Sequence, residues 1–279
     1  MQLILLLGGS SSLGRHLIAR LCRDHRVLAL ARSDQSATKI TAASGAVEIV
    51  SPDQAAAMRF DRVFNLVADY GRGGAPLEQL LEPNLFYPLT LIEAVTADAV
   101  VNVSTALPAD YSAYAHSKSL LNQALCDWGA RTGRRVHNVH LHNMYGPGVG
   151  TAELVGFVIA AMLRGERVEV SPCLNSRDFV FIDDVVDALV TLSAGCAQLP
   201  RAVPVDIGSG TATPLRAVVE LIAELTGSAS EVSFGARPAN PREPDALAAD
   251  LALLGQLGWT PRHSLRDGLR AAISAARPG

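Results

Sequence analysis

The chain has 279 residues, enough for one large α/β unit or a core with a small companion. Hydrophobic residues make up 49% and charged residues 18%, which excludes wholesale disorder. The formal net charge of −3 argues against a nucleic-acid binder with a basic face. Leu3 to Leu7 is apolar but too short to span a bilayer, and Gly8-Gly9 follows it where a cleavage site would be. Neither a membrane anchor nor a signal peptide is therefore expected. Cys22, Cys126, Cys173 and Cys196 are scattered with no C-x-x-C. No disulfide framework or zinc site is expected, and a reducing cytoplasm fits this usage.

In chain order, short apolar runs alternate with helical patterns, as in a parallel sheet covered by helices. Leu3–Leu7 reads as the first strand, Leu13–Cys22 as a helix, and Val27–Ala31 and Val47–Val50 as the next two strands. Arg62–Ala68 is the fourth strand. Leu80–Val95 reads as a helix with irregular points at Pro83 and Pro88. Val100–Val103, helix Ser117–Ala130 and strand Val136–Leu141 complete the first part. After Gly150 the rhythm changes. Helices are expected at Ala152–Leu163, Asp183–Leu192, Leu215–Leu225 and Leu265–Ala275, with a further segment at Leu251–Leu257. Arg167–Val170 and Val203–Ile207 read as strands, and Ala236–Pro244 as a loop rich in Pro and Arg.

The chemistry begins where the first strand runs into Gly8-Gly9-Ser10-Ser11-Ser12-Leu13-Gly14 and then a helix. Gly8 permits a tight turn, Ser10 and Ser11 let backbone approach a pyrophosphate, and Gly14 lets the helix pack close. The helix N-terminus would face the anion, so this strand–turn–helix reads as a dinucleotide site. The second strand ends Ala31-Arg32-Ser33 with no acid for a ribose 2′-hydroxyl. Arg32 and Ser33 suit a 2′-phosphate, which favours NADP(H) and leaves NAD(H) open. A solvated arginine at a strand end is the plainer reading of Arg32. Asp53 reads equally as an acceptor for the adenine amino group and as a turn residue.

Tyr114 and Lys118 lie four apart and share a helix face. A nearby ammonium lowers the pKa of a phenol toward the range useful for acid–base work. The chain has only two lysines, Lys39 and Lys118, so Y-x-x-x-K arises by chance about once in thirty such sequences. Ser104 and Thr105 end the fifth strand, where a hydroxyl suits a carbonyl oxygen. A strand-end Ser-Thr also reads as a cap.

These motifs resemble the extended short-chain dehydrogenase/reductase superfamily, in its nucleotide-sugar epimerase/dehydratase/reductase group. The resemblance spans nearly the whole chain. It includes Val63-Phe64-Asn65-Leu66-Val67-Ala68, Asn84, Asn143-Met144-Tyr145-Gly146-Pro147-Gly148, Arg177-Asp178-Phe179-Val180-Phe181-Ile182-Asp183-Asp184 and Leu257-Gly258-Trp259-Thr260-Pro261. Ser11 stands where the group has a middle glycine, which requires φ < 0, and His140 stands where it has an arginine. Thr105 is followed by Ala106-Leu107 rather than the Asp-Glu pair of sugar dehydratases, which disfavours water elimination. Ala68-Asp69-Tyr70-Gly71, the short Thr105–Tyr114 interval and Phe234-Gly235-Ala236 are most similar to the CDP-abequose synthase-like 4-ketoreductases.

The resemblance implies a Rossmann-type doubly wound α/β fold. A dinucleotide-binding domain would span 1–150, with returns near 178–208. A smaller mixed α/β region, 151–279, would mainly bind nucleotide-sugar. It implies catalytic roles for Thr105, Tyr114 and Lys118, and cofactor contacts at Leu66, Val67, Ala68 and Asn84. Substrate contacts would come from Ser104, Asn143 and Arg177, with Arg237 or Arg242 as a second phosphate contact. His137, His140 and His142 lie along the sixth strand, but no acidic or cysteine ligand accompanies them, so no metal is expected. The expected activity is NADPH-dependent reduction of a nucleotide-diphosphate 4-keto-6-deoxyhexose by a cytoplasmic homodimer. An NAD-dependent 4-epimerase is the first alternative. A non-catalytic dinucleotide sensor or scaffold is the second.

Overall fold

An unbroken apolar run such as Leu3–Leu7 suits a strand covered on both faces. The computed structural model describes residues 1–71 and 74–277 and seals Ile4, Leu5 and Leu6 completely. The elements begin with β1 (Leu3–Leu7), α1 (Ser12–Leu21), β2 (Arg26–Leu30), α2 (Asp34–Ala43), β3 (Glu48–Val50) and α3 (Pro52–Ala56). They continue with β4 (Arg59–Asn65), α4 (Leu77–Leu81), α5 (Tyr87–Ala94), β5 (Thr96–Thr105), α6 (Ala113–Thr132) and β6 (Arg135–Leu141). Next come β7 (Asn143–Tyr145), α7 (Leu154–Leu163), β8 (Val168–Val170), β9 (Ser176–Phe181), α8 (Ile182–Gly195) and β10 (Ala202–Ile207). The last are β11 (Ala212–Pro214), α9 (Leu215–Thr226), β12 (Val232–Phe234), α10 (Ala252–Gln256) and α11 (Leu265–Ala276).

The chain forms two compact units. The first comprises Met1–Leu141, Val186–Asp206 and Leu253–Trp259; the second comprises His142–Val185, Ile207–Ala252 and Thr260–Gly279. The first unit therefore breaks off at Leu141, where the sequence reading put 150, and the returning segment starts at Val186. It carries a seven-stranded sheet of order β10-β6-β5-β4-β1-β2-β3. Strands β1 to β6 pair in parallel. This is the doubly wound Rossmann-type order, with its switch point between β1 and β4. The second unit holds a β11-β9-β7 sheet and a β12-β8 pair.

Several element ends differ from the periodicity reading for local reasons. Helix α6 starts at Ala113 rather than Ser117, because the Ser112 side chain accepts from the Ala115 N–H and caps it. Gly133, at φ 69°, closes it in a left-handed turn. Two helices escaped the apolar periodicity. α2 is capped by Ser33 and α3 by a Ser51–Gln54 capping box, and both are largely exposed. The predicted Leu80–Val95 helix is interrupted. A π-helical turn at Glu82–Phe86 separates α4 from α5, with Pro83 in its first turn, where a missing N–H breaks regular bonding.

One side of the main sheet packs Leu5, Leu28, Val63 and Val100 against Leu91 of α5 and Leu121, Leu125 and Trp128 of α6. A polar ladder crosses the same sheet. Asn65, Asn102 and Asn138 sit side by side in register on β4, β5 and β6. Asn65 donates to Asn102 Oδ1 at 2.7 Å, and Asn102 donates to Asn122 and Asn138, each at 2.9 Å. Replacing Asn102 would orphan polar atoms on three neighbours at once, two of them, Asn65 and Asn138, buried. Asn102→Leu is expected to lower stability by about 2–5 kcal/mol. Urea unfolding followed by circular dichroism measures this as an earlier midpoint.

Candidate functional site

The glycine turn has the geometry its sequence suggests. Gly8 has φ +78°, and a Cβ there would lie 2.7 Å from the Leu66 carbonyl carbon. A Cβ on Gly14 would lie 2.6 Å from the Gly8 carbonyl oxygen. Both positions must be glycine for β1, α1 and the end of β4 to approach this closely. Ser11 caps α1 at φ −67°, which is how a side chain is accommodated there. Its Oγ donates to the Gly8 carbonyl at 2.9 Å and accepts from the Gly14 N–H at 3.0 Å. Helix α1 then starts at Ser12, so Ser12 and Leu13 lie in the first turn at the positive end of its dipole. Arg15, which the motif reading missed, donates to the Ser10 carbonyl at 2.8 Å. This close-packed turn fits a dinucleotide pyrophosphate.

Arg32 is exposed at the end of β2, with its guanidinium 6.0 Å from the Tyr87 ring centroid. Ser33 is the cap of α2, accepting from the Ser36 N–H. Asp53 is exposed in the first turn of α3, a helical position rather than a loop. Asp and Glu are favoured there by the helix dipole alone.

The loop after β4 and the start of α6 form one hydrogen-bonded assembly. Lys118 is 0% exposed, and its Nζ donates to the Val67 carbonyl at 2.9 Å. Burial pulls the lysine pKa down from 10.5 to about 7. The Val67 N–H in turn donates to Asn65 Oδ1 at 3.2 Å. Asn84 accepts from the Asp69 N–H at 2.7 Å and donates to the Asp69 carbonyl and Ser117 Oγ. Both amide donors of Asn84 therefore hold the 68–70 loop against α6; the sequence reading had given this residue to the cofactor. Ser117 completes the link by donating to the Tyr114 carbonyl. Tyr114 is half-buried one helical turn before Lys118. The Tyr70 ring lies over the Tyr114 ring, with centroids 4.8 Å apart and planes at 34°. The sequence signal for Tyr70 was its place in Ala68-Asp69-Tyr70-Gly71, a segment noted for resemblance and not for a contact with Tyr114. Ala68, Asp69, Tyr70, Gly71, Gln79 and Leu80 line a cavity of about 460 Å³.

Adjacent residues on β5 diverge, because side chains alternate across a strand. Thr105 is half-buried, and its Oγ1 accepts from the Leu107 N–H at 3.2 Å. Ser104 is 4% exposed and its Oγ is sealed without a hydrogen-bond partner. Ser104 is thus a core residue in this structure rather than a substrate contact. His137 and His140, three apart on β6, cannot share a face. His137 is sealed, and burial pulls its pKa down to about 4. His140 pairs with Asp206 at 3.2 Å.

In the second unit, Asn143 is half-buried on β7, in register with Phe179 of β9. Arg177 is only 3% exposed and donates to Glu243 at 2.8 Å and to the Ser176 and Pro244 carbonyls. It anchors the Pro-rich loop rather than presenting its guanidinium at a surface. Asp178 accepts from the Ser209, Gly210 and Ala249 N–H groups, while Arg177 pairs with Glu243. Arg237 is exposed and lies 4.8 Å from the Phe157 ring centroid, and Arg242 is exposed on the same loop. Among the described residues no helix is long and apolar enough to cross a membrane.

The model of the NAD dependent epimerase/dehydratase family matches residues 4–208. CDP-abequose synthase from Salmonella muenchen is 24% identical over 97% of this chain and 97% of its own length. dTDP-6-deoxy-L-talose 4-dehydrogenase (NAD(P)(+)) from Kitasatospora kifunensis is 29% identical over 98% of this chain and 95% of its own. Among solved structures, UDP-glucuronic acid 4-epimerase from Bacillus cereus, in complex with UDP-glucuronic acid and NAD, superposes with a TM-score of 0.84. That match is 18% identical and covers 98% of both chains.

The lysine supplies a pH test. Its folded pKa lies below its unfolded value, so the folded state binds fewer protons between about pH 7 and 10.5. The destabilisation from burying the charge is complete below pH 7 and disappears as pH rises toward 10.5. Lys118→Met is expected to melt at a higher temperature than the parent protein at pH 6, with the gain shrinking at pH 9. Paired thermal melts at the two pH values measure it.

Proposed function

Because the chain belongs to the NAD dependent epimerase/dehydratase family, we propose that it is an NADPH-dependent reductase of a nucleotide-diphosphate 4-keto-6-deoxyhexose, acting at C4. It is an NAD(P)-dependent, nucleotide-sugar-modifying enzyme of the extended short-chain dehydrogenase/reductase type. The observation that carries the proposal is the buried ammonium of Lys118, one helical turn from Tyr114 and held on the Val67 carbonyl.

The dinucleotide, when bound, supplies the hydride. Gly8, Ser10, Ser11, Ser12, Leu13 and Gly14 would cradle its pyrophosphate, and Leu66, Val67 and Ala68 would wall its path. Tyr114 donates its phenolic proton to the ketone oxygen as the C4 carbon is reduced, leaving an alcohol on the sugar and a tyrosinate on the protein. Lys118 stabilises that tyrosinate, and the developing negative charge favours its ammonium form. Thr105 donates to the same oxygen and orients the carbonyl. Thr105 is followed by Ala106-Leu107, so no acid pair stands there to eliminate water. Within the second unit, the exposed Arg237 and Arg242 suit a phosphate better than the buried Arg177, and Asn143 is its candidate nucleotide-sugar contact.

Arg32 separates this reading from its rival. Exposed, and with no acid beside it at the end of β2, it suits a 2′-phosphate and so NADPH. An NAD-dependent 4-epimerase would use the same Tyr, Lys and Thr. Its support is the Arg32–Tyr87 contact, which gives that guanidinium a partner inside the protein.

Two measurements test the proposal. Tyr114→Phe is expected to lose at least about 100-fold in turnover while binding NADPH as before. A parent protein that binds NADPH and turns over no nucleotide-diphosphate 4-keto-6-deoxyhexose would instead indicate a sensor or scaffold. Arg32→Ala is expected to weaken NADPH binding about tenfold and leave NADH binding unaltered, read by fluorescence titration. Protein purified with tightly held NAD would point to the epimerase.

A further inference from the structure

Tyr70 stands out among residues to which the proposed reaction assigns no task. It is 55% exposed, yet its ring is stacked on Tyr114. An aromatic side chain left in solvent forgoes burial, so a fixed exposed ring beside a reactive group calls for a physical reason.

Its position is built rather than incidental. Asn84 grips both backbone groups of Asp69, immediately before Tyr70, and the same amide holds Ser117 on α6. Asp69 Oδ1 accepts from the Gly71 N–H at 3.0 Å, closing a side-chain turn around Tyr70. Gly71, at φ +65°, lets the chain leave in the left-handed conformation this turn needs. The loop carrying Tyr70 and the helix carrying Tyr114 are therefore tied through one asparagine. Tyr70 also lines the cavity of about 460 Å³, a volume in the range of small-molecule sites. Beside it on that wall are the polar side chains of Asp69 and Gln79 and the apolar ones of Ala68 and Leu80. An aromatic face flanked by hydroxyl-binding groups is the chemistry that recognises a pyranose, which has a C–H face and an equatorial hydroxyl rim.

We propose that Tyr70 is a specificity-determining residue, an aromatic wall pre-set over Tyr114 against which the hexose ring of the nucleotide-sugar lies. The inference rests on the nucleotide-sugar part of the proposed function and not on its direction or cofactor. Tyr70 acts through ring area, not through its hydroxyl, and it fixes the sugar rather than the nucleotide.

The test is calorimetric binding of UDP-, CDP- and dTDP-glucose, each against its free nucleoside diphosphate, to the full chain and to Tyr70→Phe and Tyr70→Ala. Tyr70→Phe is expected to bind within about twofold of the parent protein. Tyr70→Ala is expected to lose about tenfold for the nucleotide-sugar and nothing for the diphosphate, the scale of one aromatic contact. Full retention in Tyr70→Ala overturns the proposal. So does an equal loss in Tyr70→Phe, which would assign the effect to the hydroxyl. Equal losses for sugar and diphosphate, or a parent protein whose affinity gains nothing from the sugar, also overturn it. Tighter binding by Tyr70→Ala would make the ring a lid and overturn it too. NADPH oxidation with nucleotide-4-keto-6-deoxyhexoses is measured separately. Its absence defeats the reductase reading, whereas the binding split stands or falls by itself.

Discussion

A single buried cation organises the candidate site. Lys118 places its ammonium in the protein interior with a carbonyl as its partner, and no carboxylate is recorded against it among the described residues. An uncompensated charge in that setting is expensive, which is why its pKa falls so far. The Val67 peptide it touches is fixed from both sides. Its carbonyl takes the lysine and its N–H takes Asn65. Asn65 is the end of the ladder that runs through Asn102 to Asn138. The sheet interior and the first turns of α6 thus converge on one peptide group. A protein that held Lys118 only for stability would do better with an apolar residue of similar size. A site that must stabilise a developing anion on Tyr114 has a use for it.

The second unit shows the same economy with buried charge, turned to a different end. Arg177, Asp178 and Asp184 come from one stretch of β9 and α8, and each is nearly sealed. Arg177 holds the loop at Glu243 and Pro244. Asp178 gathers N–H groups from residues 209, 210 and 249, and Asp184 takes those of Arg262 and His263. A charged motif is easily taken for a ligand contact. Here three of its members act as hubs that pin irregular segments by satisfying their backbone donors.

The sequence disclosed some of this directly. The β1–turn–α1 unit was legible because glycine at Gly8 and Gly14 and a helix start at Ser12 are local requirements. The parallel sheet was legible because runs such as Leu3–Leu7 have no polar face. Tyr114 and Lys118 were legible because four residues is one helical turn. Helices α2 and α3 were not, since their faces are mostly solvated and only their serine caps mark them. Asn84 drew notice through resemblance, but its partners Asp69 and Ser117 lie 15 and 33 residues away. The stacking of Tyr70 on Tyr114 crosses from a loop to a helix and leaves no trace in spacing.

By itself, then, the sequence determined what depends on neighbours along the chain: the strand and helix periods, the glycine turn and the Tyr114–Lys118 pair. Tertiary structure alone decided which polar groups face a ligand and which are consumed within the protein. Ser104 and Thr105 are adjacent, yet one is sealed and the other half-buried. Arg177 and Arg237 are both arginines near a proline-rich loop, yet one is an anchor and the other is open. The physical reason is that what covers a side chain comes from chain segments far away in sequence: Ser104 Oγ is sealed without a partner, whereas Arg177 finds Glu243 and the Pro244 carbonyl.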